Sequence, residues 1–189
     1  MKVAIVLGSV RKGRQSHKVA YYLENMLKKR GIETDIIDLT VSPLPLLEDK
    51  TGRSQHIEDR VKEISTRLAE ADSLIFVTPE YHGSFSGALK NALDYFWSEF
   101  QKKPIGVAAV SAGRMGGINA STQLQHVILS LGAYPLPLKF LVPEVHTVFD
   151  NTSTPSSDSI AHSANRFLDE FLWFSEAITD KKNNIVQHV

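Results

Sequence analysis

The residues able to do chemistry fall into three short stretches of the chain. The first is Gly8-Ser9-Val10-Arg11-Lys12-Gly13-Arg14-Gln15-Ser16, which gathers two hydroxyls, a carboxamide and three cationic side chains beside two glycines. It follows an apolar run and precedes a helical pattern. Helix N-termini present unpaired N–H groups and a partial positive charge, so such a loop suits an anion. Arg11 and Arg14 have the fork geometry for charge-assisted bonds to phosphate. The plainer alternative, a strand-to-helix turn capped by Ser16 with solvated arginines, leaves the density of donors unexplained. The Gly8-x4-Gly13 spacing imitates a triphosphate-binding loop, but Arg14-Gln15 stands where that loop requires Lys followed by Ser or Thr. No G-x-G-x-x-G occurs either, which leaves a monophosphate as the better match.

The second stretch is Thr78-Pro79-Glu80-Tyr81-His82-Gly83-Ser84-Phe85-Ser86-Gly87. Pro79 ends an apolar run, and the two glycines permit unusual backbone angles or close approach of a ligand. A flat heteroaromatic ring is one occupant for such a loop; an ordinary connection capped by Ser86 is the other reading. The third stretch is Ser111-Ala112-Gly113-Arg114-Met115-Gly116-Gly117. The histidines lack metal-ligand spacing, and there is no G-x-S-x-G nucleophile elbow.

The surrounding pattern shows what must position these stretches. Short apolar runs at Val3–Leu7, Thr34–Leu39, Ser73–Val77, Ile105–Val110 and Pro137–Val142 read as strands. Between them lie helical patterns: Ser16–Arg30, one ending near Ala71, Ser86–Phe100 and Asn119–Leu131. A last helix is expected over Ala161–Ile178, after a polar surface loop at 151–159 and before a frayed tail at 181–189. Strands alternating with helices predict an α/β fold: a five-stranded parallel sheet covered on both faces. Ligands of such sheets sit beyond the carboxyl ends of the strands. The three stretches all follow strands, so they are candidates for one site.

In order and spacing, GSVRKGRQS, TPEYHGSFSGALKNALDY and SAGRMGG resemble the NADPH-dependent FMN reductase family, which includes azoreductases and quinone or chromate reductases. The resemblance covers roughly residues 1–145. It implies a flavodoxin-like three-layer sandwich with strand order 2-1-3-4-5, non-covalent FMN, and NADPH (or NADH) as electron donor. By position, Ser9, Arg11, Gln15 and Ser16 would bind the FMN phosphate. Pro79, Glu80, Tyr81, His82 and Gly83 would line the isoalloxazine, mostly through backbone atoms, with Ser111 and Gly113 at its other edge. The loop departs from the usual GSxRxxS pattern, because its serine comes two residues later, after Gly13-Arg14-Gln15. The partners of the phosphate beyond Ser9 and Arg11 are therefore open among Arg14, Gln15, Ser16 and His17.

The function expected is a flavoprotein oxidoreductase that passes hydride from NAD(P)H through FMN to quinone, azo or flavin acceptors by a ping-pong route. No side-chain nucleophile or acid–base residue is expected. The alternative is a flavodoxin-type electron carrier, but such carriers are strongly acidic and carry a hydroxyl-rich phosphate loop. Here 21 Lys and Arg balance 21 Asp and Glu. Neutrality also argues against nucleic-acid or membrane-surface partners. The absence of cysteine excludes disulfides, thiolate catalysis and Cys-ligated metal sites, and fits a cytoplasmic protein. A length of 189 residues suits one domain, expected over 1–180. The aromatic run Tyr95, Phe96, Trp97 and Phe100 cannot all face one sheet, and a homodimer or homotetramer is expected.

Overall fold

The computed structural model describes residues 1–48 and 54–186. Five strands, β1 (Lys2–Leu7), β2 (Glu33–Asp38), β3 (Ser73–Pro79), β4 (Pro104–Val110) and β5 (Tyr134–Val142), form one sheet of order β2-β1-β3-β4-β5, all neighbours parallel. This is the predicted flavodoxin-like arrangement. The helices are α1 (Ser16–Lys29), α2 (Gln55–Glu70), α3 (Gly87–Tyr95), α4 (Ile118–Ser130), the one-turn α5 (Val145–Val148) and α6 (Asp158–Val186).

The central strands β3 and β4 are buried along their whole length, as their unbroken apolar runs require when both faces are covered. Alternation along each strand feeds two cores. Ile5, Leu7, Ile75 and Val77 pack with α1 and α6 through Val19, Leu23, Phe167 and Phe171. Val6, Leu74, Phe76 and Val107 pack with α2, α3 and α4 through Ile64, Leu68, Leu89, Leu93 and Leu124. Burying apolar surface on both faces fixes the sheet as a rigid floor, from whose carboxyl edge the three chemistry-bearing loops rise.

Four element boundaries differ from the sequence expectations. Helix α3 stops at Tyr95 rather than continuing to Phe100. Leaving the helix lets both Phe96 and Phe100 bury at 2% exposure, Phe100 edge-on to Phe76 at 5.9 Å. The Glu99 carboxylate accepts bonds from the Trp97 N–H at 3.1 Å and the Ser98 hydroxyl at 3.0 Å in the turn that follows. Strand β5 starts at Tyr134, because an irregularity opposite Ile105–Val107 accommodates Pro135 and Pro137. The short helix α5 was not foreseen. Helix α6 begins at Asp158 and takes in residues 181–186, which had been expected as tail; residues 187–189, and the stretch 49–53 of the expected β2–α2 loop, lie outside the described residues. Among the described residues no helix is long and apolar enough to cross a membrane.

Candidate functional site

The β1–α1 loop meets the anion-site requirements at the level of individual atoms. Gln15, not Ser16, occupies the N-cap position of α1; no side chain caps the helix, and its first turn holds no acidic residue. The leading N–H groups are thus left for an outside partner. Ser16 begins the helix at 1% exposure. Its hydroxyl is buried and has no hydrogen-bond partner among the described residues. A buried hydroxyl costs free energy unless it is bonded, so this group suits an incoming acceptor. Ser9, also at 1% exposure, lies with its Oγ 3.3 Å from the Tyr81 hydroxyl, which ties the first loop to the second.

The two arginines of the loop have different occupations. Arg11 is exposed, with its guanidinium 5.9 Å from the Tyr81 ring centroid. Arg14 turns inward to Asp38 at the end of β2, its Nη1 and Nη2 donating to the two carboxylate oxygens at 2.7 and 2.5 Å. Burial opposes ionisation of Asp38, but bonds from Arg14 and from the Thr40 N–H outweigh it and hold the carboxyl below its usual range. Burial, aided by the Arg14 charge, pushes the His17 imidazole below its ordinary value. His17 packs edge-on to Tyr21 at 6.0 Å.

The β3–α3 loop is held from both sides. Tyr81 and Ser84 bond reciprocally, N–H to carbonyl, at 2.8 and 3.0 Å. Between them His82 and Gly83 have φ of 50° and 76°, the double positive φ of a type I′ turn, which glycine accepts at little cost. The Glu80 carboxylate accepts bonds from the Asn119 and Ala120 N–H groups at 3.0 and 3.1 Å, capping α4. Gln123 of α4 donates to the Gly83 carbonyl at 2.8 Å. Ser86 caps α3 and donates from its hydroxyl to the Gly8 carbonyl at 2.5 Å. The first two loops therefore hold each other in register.

Together the loops enclose a cavity of about 370 Å³, within the range of small-molecule sites. Of the residues singled out in the sequence, Ser9, Arg11, Arg14, Gln15, Ser16, Pro79, Glu80, Tyr81 and Ser111 line it. His82, Gly83, Gly113 and His17 are not on its wall. The turn carries His82 and Gly83 past the rim, and Gly113 serves instead as a strut: its N–H donates to Ser111 Oγ at 3.0 Å and its carbonyl accepts from the Glu144 N–H at 3.2 Å. Sequence reasoning missed Val145 and His146, which close one wall. Helix α5 carries them, fixed by the Val145 N–H to the Ser111 carbonyl at 3.1 Å. Four residues bear no helical signature, so nothing in the pattern announced it. Among the described residues no group of three or more His, Asp or Glu could hold a metal.

A model of the NADPH-dependent FMN reductase family matches residues 1–147. The chain belongs to that family. It is accordingly an oxidoreductase that works with FMN and a reduced nicotinamide nucleotide as electron donor. Among its relatives, an NADPH azoreductase of Bacillus sp. (strain OY1-2) is 35% identical over 147 residues, covering 77% of this chain and 79% of that protein. An FMN-dependent NADPH-azoreductase of Staphylococcus haemolyticus is 31% identical over 182 residues, covering 92% and 95%. Among solved structures, the flavoenzyme NAD(P)H:(acceptor) oxidoreductase FerB from Paracoccus denitrificans superposes with a TM-score of 0.78. It is 24% identical, with 93% of this chain and 97% of that chain covered; at that identity the likeness concerns the fold.

Proposed function

We propose that this chain is an FMN-dependent NAD(P)H oxidoreductase that reduces azo compounds, and quinones or free flavins as further acceptors, by a ping-pong route in one open site. The observation that carries the proposal is the cavity itself, with the orphaned Ser16 hydroxyl and an uncapped helix at one end. In this reading Ser9, Ser16, Arg11, Gln15 and the first N–H groups of α1 hold the FMN phosphate. The residues 79–81 and 111–112 flank the flavin ring. The chemistry bound flavin supplies is hydride acceptance from the nicotinamide and delivery of electrons to the second substrate. The protein's part is placement: Glu80 locks the ring-side loop to α4, and Tyr81, Arg11 and Ser9 join the two loops across the cavity. No side chain is required as acid, base or nucleophile.

The azo acceptor is supported by the azoreductase names of the Bacillus and Staphylococcus relatives. The preference for NADPH over NADH is supported by the same names. A homodimer or homotetramer is proposed from Trp97, Met115 and Leu129, exposed at 67%, 65% and 60%, since large exposed apolar side chains mark contact surfaces. A cytoplasmic location, where NAD(P)H is present, fits a chain without cysteine, and a single domain over 1–180 fits the one sheet with its two cores.

Purified protein gives the test. Uptake of FMN to a yellow protein, followed by NADPH oxidation that depends on an azo dye or quinone, is the expected result. Parallel initial-rate lines across acceptor concentrations support the ping-pong route. A yellow protein inert to NAD(P)H would instead make it an electron carrier, and a protein that takes up no FMN would end the proposal.

A further inference from the structure

We propose that Arg14 is the positioning residue of the phosphate loop: it grips no phosphate itself and holds Ser9 in binding shape by bridging it to Asp38. The inference rests on the FMN reading above. Arg14 lies in the stretch by which this loop departs from the family spacing, between Gly13 and Gln15. Besides its two bonds to Asp38, its Nη1 donates to the Ser9 carbonyl at 2.6 Å and to the Thr40 hydroxyl. Thr40 completes the ring of contacts, its N–H donating to Asp38 Oδ1 at 2.9 Å and its hydroxyl reaching the Ser9 carbonyl at 3.4 Å.

Two physical consequences separate Arg14 from Arg11. The Nη1–Nη2 edge of the Arg14 guanidinium is already filled by a carboxylate, in side chains only 15% and 9% exposed. Such bidentate pairs are the strong ones, and breaking one would leave Asp38 part-buried and uncompensated. The pair is also neutral as a unit, so it offers an incoming anion no net attraction. Arg11 has no carboxylate partner among the described residues and rests against the Tyr81 ring. Both arginines line the cavity, and Arg11 is the one whose donors no carboxylate occupies.

The grip also explains how a longer loop can keep its serine donors in place. Ser9 sits two residues beyond the end of the rigid strand β1, whereas the residues after it must span to α1 without a side-chain cap. Tying the Ser9 carbonyl to the end of the neighbouring strand β2 fixes the Ser9 peptide before any ligand arrives. That ordering would otherwise be paid at binding.

The experiment is a double-mutant cycle read by flavin fluorescence on the full chain, with FMN and riboflavin as ligands. Arg14→Gln is expected to weaken FMN about tenfold or more, a loss of about 1.4 kcal/mol, and riboflavin far less. Asp38→Asn should do the same, and the double variant should be no worse than either single one, because all three break one bridge. Arg14→Lys keeps the charge but not the two-oxygen grip; positioning predicts a loss like that of Arg14→Gln. The ionic-strength dependence of FMN binding should fall in Arg11→Ala and stay at the wild-type slope in the Arg14→Gln/Asp38→Asn double variant, which removes the neutral pair without changing the net charge.

An Asp38→Asn variant that binds FMN as well as, or better than, wild type would overturn the proposal, since freeing the guanidinium would then have helped. So would near wild-type affinity in Arg14→Lys, or additive losses in the double variant. Circular dichroism is taken first; if Arg14→Gln does not fold, Asp38→Asn and Arg14→Lys carry the comparison. Wild-type protein that takes up neither flavin refutes the FMN reading. Wild type that binds FMN no better than riboflavin leaves that reading standing and overturns the positioning role.

Discussion

Replacing Ser16 with alanine is expected to move stability and cofactor affinity in opposite directions. In the protein without ligand, the Ser16 hydroxyl is buried and unbonded, and such a group costs about 1–3 kcal/mol. Its removal leaves no cavity beyond one oxygen atom, and alanine is the better helix former by a few tenths of a kcal/mol. A net gain of about 1 kcal/mol is expected in the flavin-free protein, which for a chain of this size raises Tm by roughly 2–4 °C. With FMN the sign reverses. A hydrogen bond to a charged acceptor contributes about 1.5–3 kcal/mol, so FMN affinity should fall roughly ten- to a hundred-and-fifty-fold while riboflavin affinity holds. Ligand stabilisation shrinks with affinity, so thermal melts of wild type and variant should cross as FMN is added. A flavin-free variant that melts below wild type, with FMN and riboflavin weakened equally, would refute the reasoning and make Ser16 a packing residue.

Further outcomes follow from other contacts. Arg11→Ala should weaken FMN by about 1.5–3 kcal/mol and leave riboflavin nearly unchanged; equal losses in fluorescence titrations would show that Arg11 acts through the fold. Gly8→Ala places a Cβ 2.8 Å from the Leu89 Cβ, and urea unfolding should show a loss of about 1–3 kcal/mol. Asp38 is held below its usual carboxyl value in the fold, so its contribution is complete above the unfolded value and is lost as pH falls through the lower folded one. Asp35, whose carboxyl the Arg67 side chain holds down by hydrogen bonding, behaves likewise. Acid titration of stability should therefore show a limb that Asp38→Asn makes shallower; an unchanged limb would count against the pair.

The strands and the three loops were legible because their signals are local. An apolar run such as Val3–Leu7 has one stable use in a sheet covered on both faces, and the loop residues that follow it declare their donors. Helix α3 ended early because tertiary burial of Phe96 and Phe100 outweighed a local helical pattern, and no window of sequence contains Phe76, the ring that Phe100 meets. Arg11 and Arg14 are alike in sequence; only the return of β2 beside the loop, bringing Asp38 across 24 positions, assigns them different work. Glu80 was read correctly as a loop residue, but its carboxylate proved to cap α4, a partner about forty residues away. His146 carried no spacing signal at all, and its place on the cavity wall depends on α5, which exists only as packed against Ser111.

The prolines of β5 bear on how this protein meets copies of itself. The Tyr134 N–H donates toward β4, to the Lys103 carbonyl at 2.9 Å, so strand alternation turns the next residue, Pro135, toward the free edge. A strand laid against that edge would find no N–H there. Sheet extension past β5 is thereby discouraged, both in a crowded cell and while the nascent chain is still collapsing. Association through this side of the molecule has to proceed by helix and loop faces, leaving the hydrogen-bonded ladder finite at five strands.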